Sequence, residues 1–144
     1  MMEWMILPFK RYADFQGRSR RMEYWMFQLL NSVVTLVLIT PFIYTIVSVT
    51  MALPDDPNIL AAAYLEITTD WMSLPMICLA LLGLYILASF IPLLAVTVRR
   101  MHDRNMSGWL YLVAGLVPLM LPGTVGPNRY GPDPKDSYGG YVFA

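Results

Sequence analysis

The sequence predicts an all-α membrane protein: a small bundle of two secure transmembrane helices plus a short third membrane helix, with an interfacial N-terminal segment. Three observations predict it. Residues 24–54 and 71–98 carry no charged side chain, and each run exceeds the roughly 20 apolar residues that a bilayer crossing requires. Of 144 residues, 57% are hydrophobic and 14% charged, too apolar a composition for a soluble domain of this size. Lys10, Arg11, Arg18, Arg20, Arg21, Arg99, Arg100 and Arg104 flank the two runs on one side, whereas 51–72 holds Asp55, Asp56, Glu66 and Asp70 and no Lys or Arg. The positive-inside rule then places the N-terminus and the loop after Arg99 in the cytoplasm and the acidic loop outside.

Each element follows from its residues, within a single integral membrane domain spanning 1–144. Residues 1–24 mix Trp4, Met5, Phe9, Tyr12 and Phe15 with Lys10, Arg11 and Asp14, which suits a cytoplasmic segment lying in the headgroup layer. Met1 to Leu7 has no basic stretch, and its apolar run is interrupted by Glu3 and stopped by Pro8. The first span, 25–50, therefore serves as the targeting signal. Ser19 can cap that helix, and Tyr24 and Trp25 supply its aromatic belt. Pro41 predicts a kink. Gln28, Asn31, Ser32 and Thr35 recur at three- and four-residue steps and make a polar stripe, read either as interhelical hydrogen bonding or as a solute path.

The outer loop, 51–71, opens with the turn Pro54-Asp55-Asp56-Pro57 and continues into a surface helix from Ile59 to Trp71, with Trp71 an interface anchor. The second span covers 72–98, interrupted by Pro75 and Pro92. Neither span contains an ionisable Asp, Glu, Lys, Arg or His, which disfavours a pump or coupled transporter. After a cytoplasmic loop at 99–107, residues 108–121 form the short third membrane helix, entered through Trp109. Its apolar part, Trp109–Leu121, has 13 residues, reaching about 20 Å against a hydrocarbon core of about 30 Å. This stretch either crosses with an extended tail or dips in and returns. Residues 122–144 read as an irregular polar tail, with Asn128-Arg129-Tyr130 either packing under the bundle or making a second anion contact.

The arginines converge at the cytoplasmic mouth. Arg18, Arg20, Arg21, Arg99, Arg100 and Arg104 form a candidate anion or lipid-headgroup patch, supported by Glu23, His102 and Asp103. The eight bases above exceed Glu3, Asp14, Glu23 and Asp103 by four charges, and arginine forks suit phosphate. The alternative is that these residues fix orientation and close the helix ends with salt bridges.

Tyr24, Trp25, Trp71 and Trp109 are the expected interface anchors. No catalytic constellation is legible: His102 lies beside Asp103, but adjacent side chains seldom face one another and no nucleophile accompanies them. Lone Cys78 and lone His102 cannot complete a zinc shell. The expectation is no enzyme, no cofactor and no metal. The expected partners are the lipid bilayer, anionic phospholipid in particular, and a membrane-protein partner or a homo-oligomer. Nucleic acid is excluded by the lack of a binding module. The alternative function is a subunit of a small uncharged-solute channel or transporter.

Three linked motifs carry a family resemblance. Gly17-Arg18-Ser19-Arg20-Arg21-Met22-Glu23-Tyr24-Trp25, then Arg99-Arg100-Met101-His102-Asp103 with Ser107-Gly108-Trp109, then Pro122-Gly123-Thr124 leading to Gly126-Pro127-Asn128-Arg129-Tyr130-Gly131-Pro132-Asp133-Pro134 together resemble the YhaH-like bacterial inner-membrane proteins, a domain of unknown function. The resemblance implies a small multi-pass protein of the bacterial inner, or plasma, membrane and brings no established activity with it.

Overall fold

The computed structural model describes residues 2–52, 56–69, 73–115 and 117–135. Among these the order is α1 (Met2–Lys10), α2 (Arg21–Ala52), α3 (Pro57–Thr69), α4 (Leu74–His102), a 3-10 turn (Gly108–Leu110), α5 (Tyr111–Ala114) and α6 (Val117–Met120). No strand occurs among the described residues beyond an isolated bridge between Asn128 and Gly131. The chain divides into two compact units, one of Met1–Leu30 with Ser89–Ala144 and one of Asn31–Ala88.

Helices α2 and α4 are long and apolar enough to cross a membrane, and their most apolar windows are 0% and 17% buried. A core helix of a soluble protein would bury that window; these present it outward, as lipid demands. Both are longer than the spans read from the sequence. Helix α4 runs on through Arg99, Arg100 and His102, cations that the negative end of a helix dipole favours. Helix α2 begins at Arg21, where the dipole disfavours a cation, but Glu23 sits in the same first turn. Pro41 and Pro92 are both accommodated inside helices.

In the first unit, the core joins Tyr24 and Phe27 of α2 to Val96 and Met101 of α4 and to Leu119 of α6, with Phe9, Leu93, Met106 and Tyr111 packed around them. Phe9 meets Phe27 edge to face at 5.2 Å. Burying each of the large side chains stabilises by about 1.5–3 kcal/mol. Helix α4 ends in a Schellman arrangement: the Met106 amide donates to the Met101 carbonyl at 3.1 Å and the Asn105 amide to His102 at 2.9 Å. Asn105 takes the left-handed conformation this requires, φ 57°.

In the second unit, α3 starts earlier than the sequence suggested, because Pro57 occupies the first helical position and Asp56 caps it. The Asp56 carboxylate accepts from the Asn58 amide at 2.8 Å. Thr50 of α2 is hydrogen-bonded to Tyr64 of α3. Tyr85 donates to the Asn31 side-chain oxygen at 3.0 Å, so at least one member of the polar stripe makes an interhelical bond. Trp71 lies outside the described residues.

The third stretch is helical in pieces. A 3-10 turn, α5 and α6 follow one another, and Gly115, at φ 59°, ends α5. A residue with a Cβ would be strained there.

Candidate functional site

The segment before α2 lies against the last turn of α4, where the Ser19 amide donates to the Arg99 carbonyl at 3.2 Å. Arg18 is thereby buried with its guanidinium on Asp103: Nε donates to Oδ1 at 3.0 Å, and Nη2 lies 2.9 Å from the same oxygen. Its outer nitrogens donate to the carbonyls of Gly126 and Thr124, both at 2.6 Å. Arg100, one turn before Asp103, pairs with the other carboxylate oxygen and donates to the Leu119 carbonyl at 3.3 Å and to that of Leu121. One buried carboxylate thus holds two buried guanidiniums, and their remaining N–H groups bind the backbone of residues 119–126.

The same backbone returns the contact. Thr124 donates its amide and its hydroxyl to the Asp103 carbonyl, at 2.9 and 3.1 Å. Gly123 fits only because it has no side chain, since a Cβ there would lie 1.9 Å from Asp103 Oδ2. Asn128 donates to the His102 carbonyl at 3.0 Å, and Tyr130 stacks on the His102 ring at 3.8 Å.

A second centre adjoins the first through the chain. Arg99, fully buried, donates to Glu23 Oε1 at 2.8 Å and to the Asp14 carbonyl at 2.8 Å. The Ser19 hydroxyl donates to Glu23 Oε2 at 2.7 Å, so it braces the carboxylate instead of capping α2. Asp14 is further held by Arg11 at 2.6 Å. Burial acts to raise the Asp14 carboxyl, but the Arg11 hydrogen bond, the Gln16 amide and the charges of Arg11 and Arg99 outweigh it and hold it below its ordinary 3.8. Asp133 behaves alike: burial raises it, and the amides of Lys135 and Gly126 with the charges of Arg18 and Lys135 bring it below 3.8.

These positions revise the arginine patch. Arg18, Arg99 and Arg100 are buried and paired with Asp103 and Glu23, so they are not a surface for headgroups. Burial without a counter-charge would cost several kcal/mol per ion, which is why the carboxylates lie within the cluster. Arg20 bonds the Pro134 carbonyl and lies over the Trp4 ring at 5.7 Å. Arg21 is exposed and donates at 3.4 Å to the Met120 carbonyl. Arg104 is half-buried, and its Nε and Nη1 lie buried with no hydrogen-bond partner among the described residues.

Of the supporting residues, Glu23 and Asp103 hold the cluster. Asp103 faces Arg18 and Arg100, while His102 approaches the Gly17 carbonyl at 3.3 Å. Tyr24 is a core residue, not an interface anchor, because it shares the inward face of α2 with Phe27. Trp25 and Trp109 are exposed. Sequence reasoning missed the receiving side of the site: Thr124, Asp133 and the carbonyls of Leu119, Leu121 and Gly126. Backbone acceptors leave no residue-type signal, but Gly123 and Asp133 stood within a motif already singled out. Among the described residues, no group of three or more His, Cys, Asp or Glu side chains is placed to hold a metal ion.

Comparison with known proteins reaches Arg18, Glu23, Arg99, Arg100, Asp103 and Thr124 of this site. The family model described as a protein of unknown function, DUF805, matches residues 12–132. The chain is 34% identical to the inner membrane protein YhaI of Escherichia coli K12, over 93% of this chain and 97% of that one. It is 32% identical to the inner membrane protein YhaH of the same organism, over 93% and 98%. No solved structure matches.

Proposed function

The chain belongs to the DUF805 family and is an integral inner-membrane protein, and from that premise we propose a structural or regulatory, non-catalytic role in which Arg21 and Arg104 bind anionic phospholipid headgroups. The carrying observation is that Arg21, exposed, and Arg104, half-buried, are paired with no carboxylate among the described residues, whereas Arg18, Arg99 and Arg100 are buried on Asp103 and Glu23. A phosphate at their accessible edges would supply the missing counter-charge, in the charge-assisted geometry that guanidinium favours. The charges of Arg21 and Arg104 both oppose that of Arg100, so an anion bound at either would also relieve like-charge crowding. The non-catalytic reading is supported by His102, whose ring is taken up by Tyr130 and Gly17.

The test is lipid retention after mild extraction, read by native mass spectrometry with phosphatidylglycerol and phosphatidylcholine. Each arginine near an anionic surface contributes roughly 1 kcal/mol. The pair Arg21→Gln, Arg104→Gln therefore loses phosphatidylglycerol by roughly 30-fold and leaves phosphatidylcholine unchanged. Equal phosphatidylglycerol retention by wild type and variant would sink the reading, and loss of a co-purifying protein instead would transfer the site to a membrane partner.

The topology in this reading has two crossings, with the N-terminus and residues 122–135 both cytoplasmic. All ten Lys and Arg residues lie outside 22–98, which supports that orientation. The hydrogen bonds from Thr124 back to Asp103 support a third stretch that returns to its starting level. An impermeant maleimide on intact spheroplasts, in a Cys78→Ala background, labels Glu66→Cys and spares Val125→Cys. Labelling of Val125→Cys would refute it. The Tyr85–Asn31 bond favours interhelical bonding over a solute path.

A further inference from the structure

We propose that residues 107–115 and 117–121 form a wedge inserted into one leaflet only, the leaflet on the side of the Arg18–Asp103 cluster, with the acyl chains of that leaflet as its partner. The inference rests on the two-crossing topology proposed above and is independent of the headgroup site at Arg21 and Arg104.

Both ends of the excursion are fastened at one level. Where it leaves, the Met106 amide is held by the Met101 carbonyl at 3.1 Å; where it returns, the Thr124 amide is held by Asp103 at 2.9 Å. Between these points the chain makes a 3-10 turn, then α5, then α6, each of the last two four residues long. The 3-10 turn runs directly into α5, and together they advance about 12 Å, still short of the roughly 15 Å from headgroup to midplane in a 30 Å core. Gly115 breaks the path between the two pieces at φ 59°. Irregular backbone is not tolerated deep in hydrocarbon, where its polar groups would go unmet. A shallow position keeps those groups within reach of water and headgroups.

The side chains divide accordingly. Pro118 and Leu119 are buried and Tyr111 packs on the core, while Arg100 grips the Leu119 and Leu121 carbonyls, so the excursion is rigidly seated. Facing out are Trp109, 81% exposed, Leu112, 77%, Val113, 87%, and Val117, 64%. No charged residue lies between Arg104 and Arg129. Close helix association in membranes relies on small residues that let backbones approach. The outward set here is Trp, Leu and Val, which suits acyl chains, and Trp109 has the amphipathic ring that settles at the boundary.

The experiment uses full-length protein in nanodiscs, in a Cys78→Ala background, with spin labels at Val113→Cys, Val117→Cys, Val125→Cys and, as a deep reference, Leu84→Cys. The expected result is that labels at 113 and 117 are accessible to oxygen, shielded from a nickel chelate and about 5–10 Å below the headgroups, while the label at 125 is open to the chelate. Labels at 113 and 117 open to the chelate would overturn the wedge. So would shielding of both from oxygen as well as chelate, which would assign the surface to a second copy or a partner. A label at 113 as deep as that at 84, with 125 reached only from the periplasmic side, would overturn the topology beneath it. The four labelled side chains are exposed and Cys78 is half-buried, so failure to fold is not expected, and the 113 and 117 sites check one another.

Discussion

The unit made of residues 1–30 and 89–144 and the unit made of residues 31–88 solve the same problem, stability of helices in a membrane, by opposite means. Every Lys and Arg of the chain belongs to the first and none to the second. The first buries Arg18, Arg99, Arg100, Asp103 and Glu23 and pairs them with one another and with backbone carbonyls, leaving Arg99 Nε without a partner among the described residues. The second turns Val33, Leu36, Val37, Leu81, Leu84 and Leu87 outward and joins its helices through such contacts as Tyr85 to Asn31. The contrast teaches that a buried charge network makes its unit intolerant of single losses. A lipid-facing unit spreads its stability over many weak contacts, since lipid tails are as apolar as the side chains they replace.

The sharpest way to break that contrast is at Asp103. Asp103→Ala leaves Arg18 and Arg100 buried without their shared counter-charge, and losing one partner of a buried pair costs about 3–5 kcal/mol. The onset temperature of aggregation in detergent then falls far below that of wild type, and protease cuts between residues 119 and 126, where the arginines no longer hold the backbone. A wild-type melting curve for Asp103→Ala would show that the network contributes nothing.

Gly123→Ala probes the same centre sterically. The new methyl would sit 1.9 Å from Asp103 Oδ2, so loop or carboxylate must shift, at about 1–3 kcal/mol. Because both substitutions act on one carboxylate, their effects are not additive. A double variant with Asp103→Ala therefore loses less than the sum of the singles. Full additivity would place Gly123 outside the network.

The two units were not equally legible in the sequence. Spans announce themselves by length and missing charge, so α2 and α4 follow from residues 24–54 and 71–98 alone. The arginine motifs also marked the right place, and the salt-bridge alternative described Arg18, Arg99 and Arg100 better than the headgroup patch did. What composition could not reveal was which carboxylate each arginine meets. Net charge counts Asp103 and Glu23 as small corrections to a basic surface, but burial makes them the centre of it. Tyr24 failed as an interface anchor for a related reason: with α2 beginning at Arg21, the helix phase sends Tyr24 inward and Trp25 outward. The third motif gives Gly123 no role of its own, and the close approach of Asp103, distant in sequence, is what demands it.

In the second unit the matching test is Tyr85→Phe, which removes the hydroxyl donating to Asn31. Membrane hydrogen bonds of this kind average about 0.6 kcal/mol, so the melting midpoint moves only slightly. The comparison sharpens if Asp103→Ala exceeds Tyr85→Phe severalfold, and it dissolves if the two are equal.

The smallest expected effect comes from the carboxylates at the edge of the first unit. Asp14 and Asp133 are held below the ordinary 3.8 in the folded protein, so each binds its proton less readily folded than unfolded. Their contribution is fully present above 3.8 and is lost only as pH falls through the lower folded values. The local readouts are the amides they accept: Gln16 on Asp14 and Gly126 on Asp133, both at 3.0 Å. Hydrogen exchange at these amides, corrected for the intrinsic pH dependence, keeps constant protection from neutral pH to about 4 and loses it below. Asp133→Asn abolishes the acid step at Gly126 and leaves that at Gln16. Loss of protection already between pH 7 and 5 would instead point to an imidazole, and His102, the one histidine of the chain, would replace the carboxylates as the group that loosens this edge.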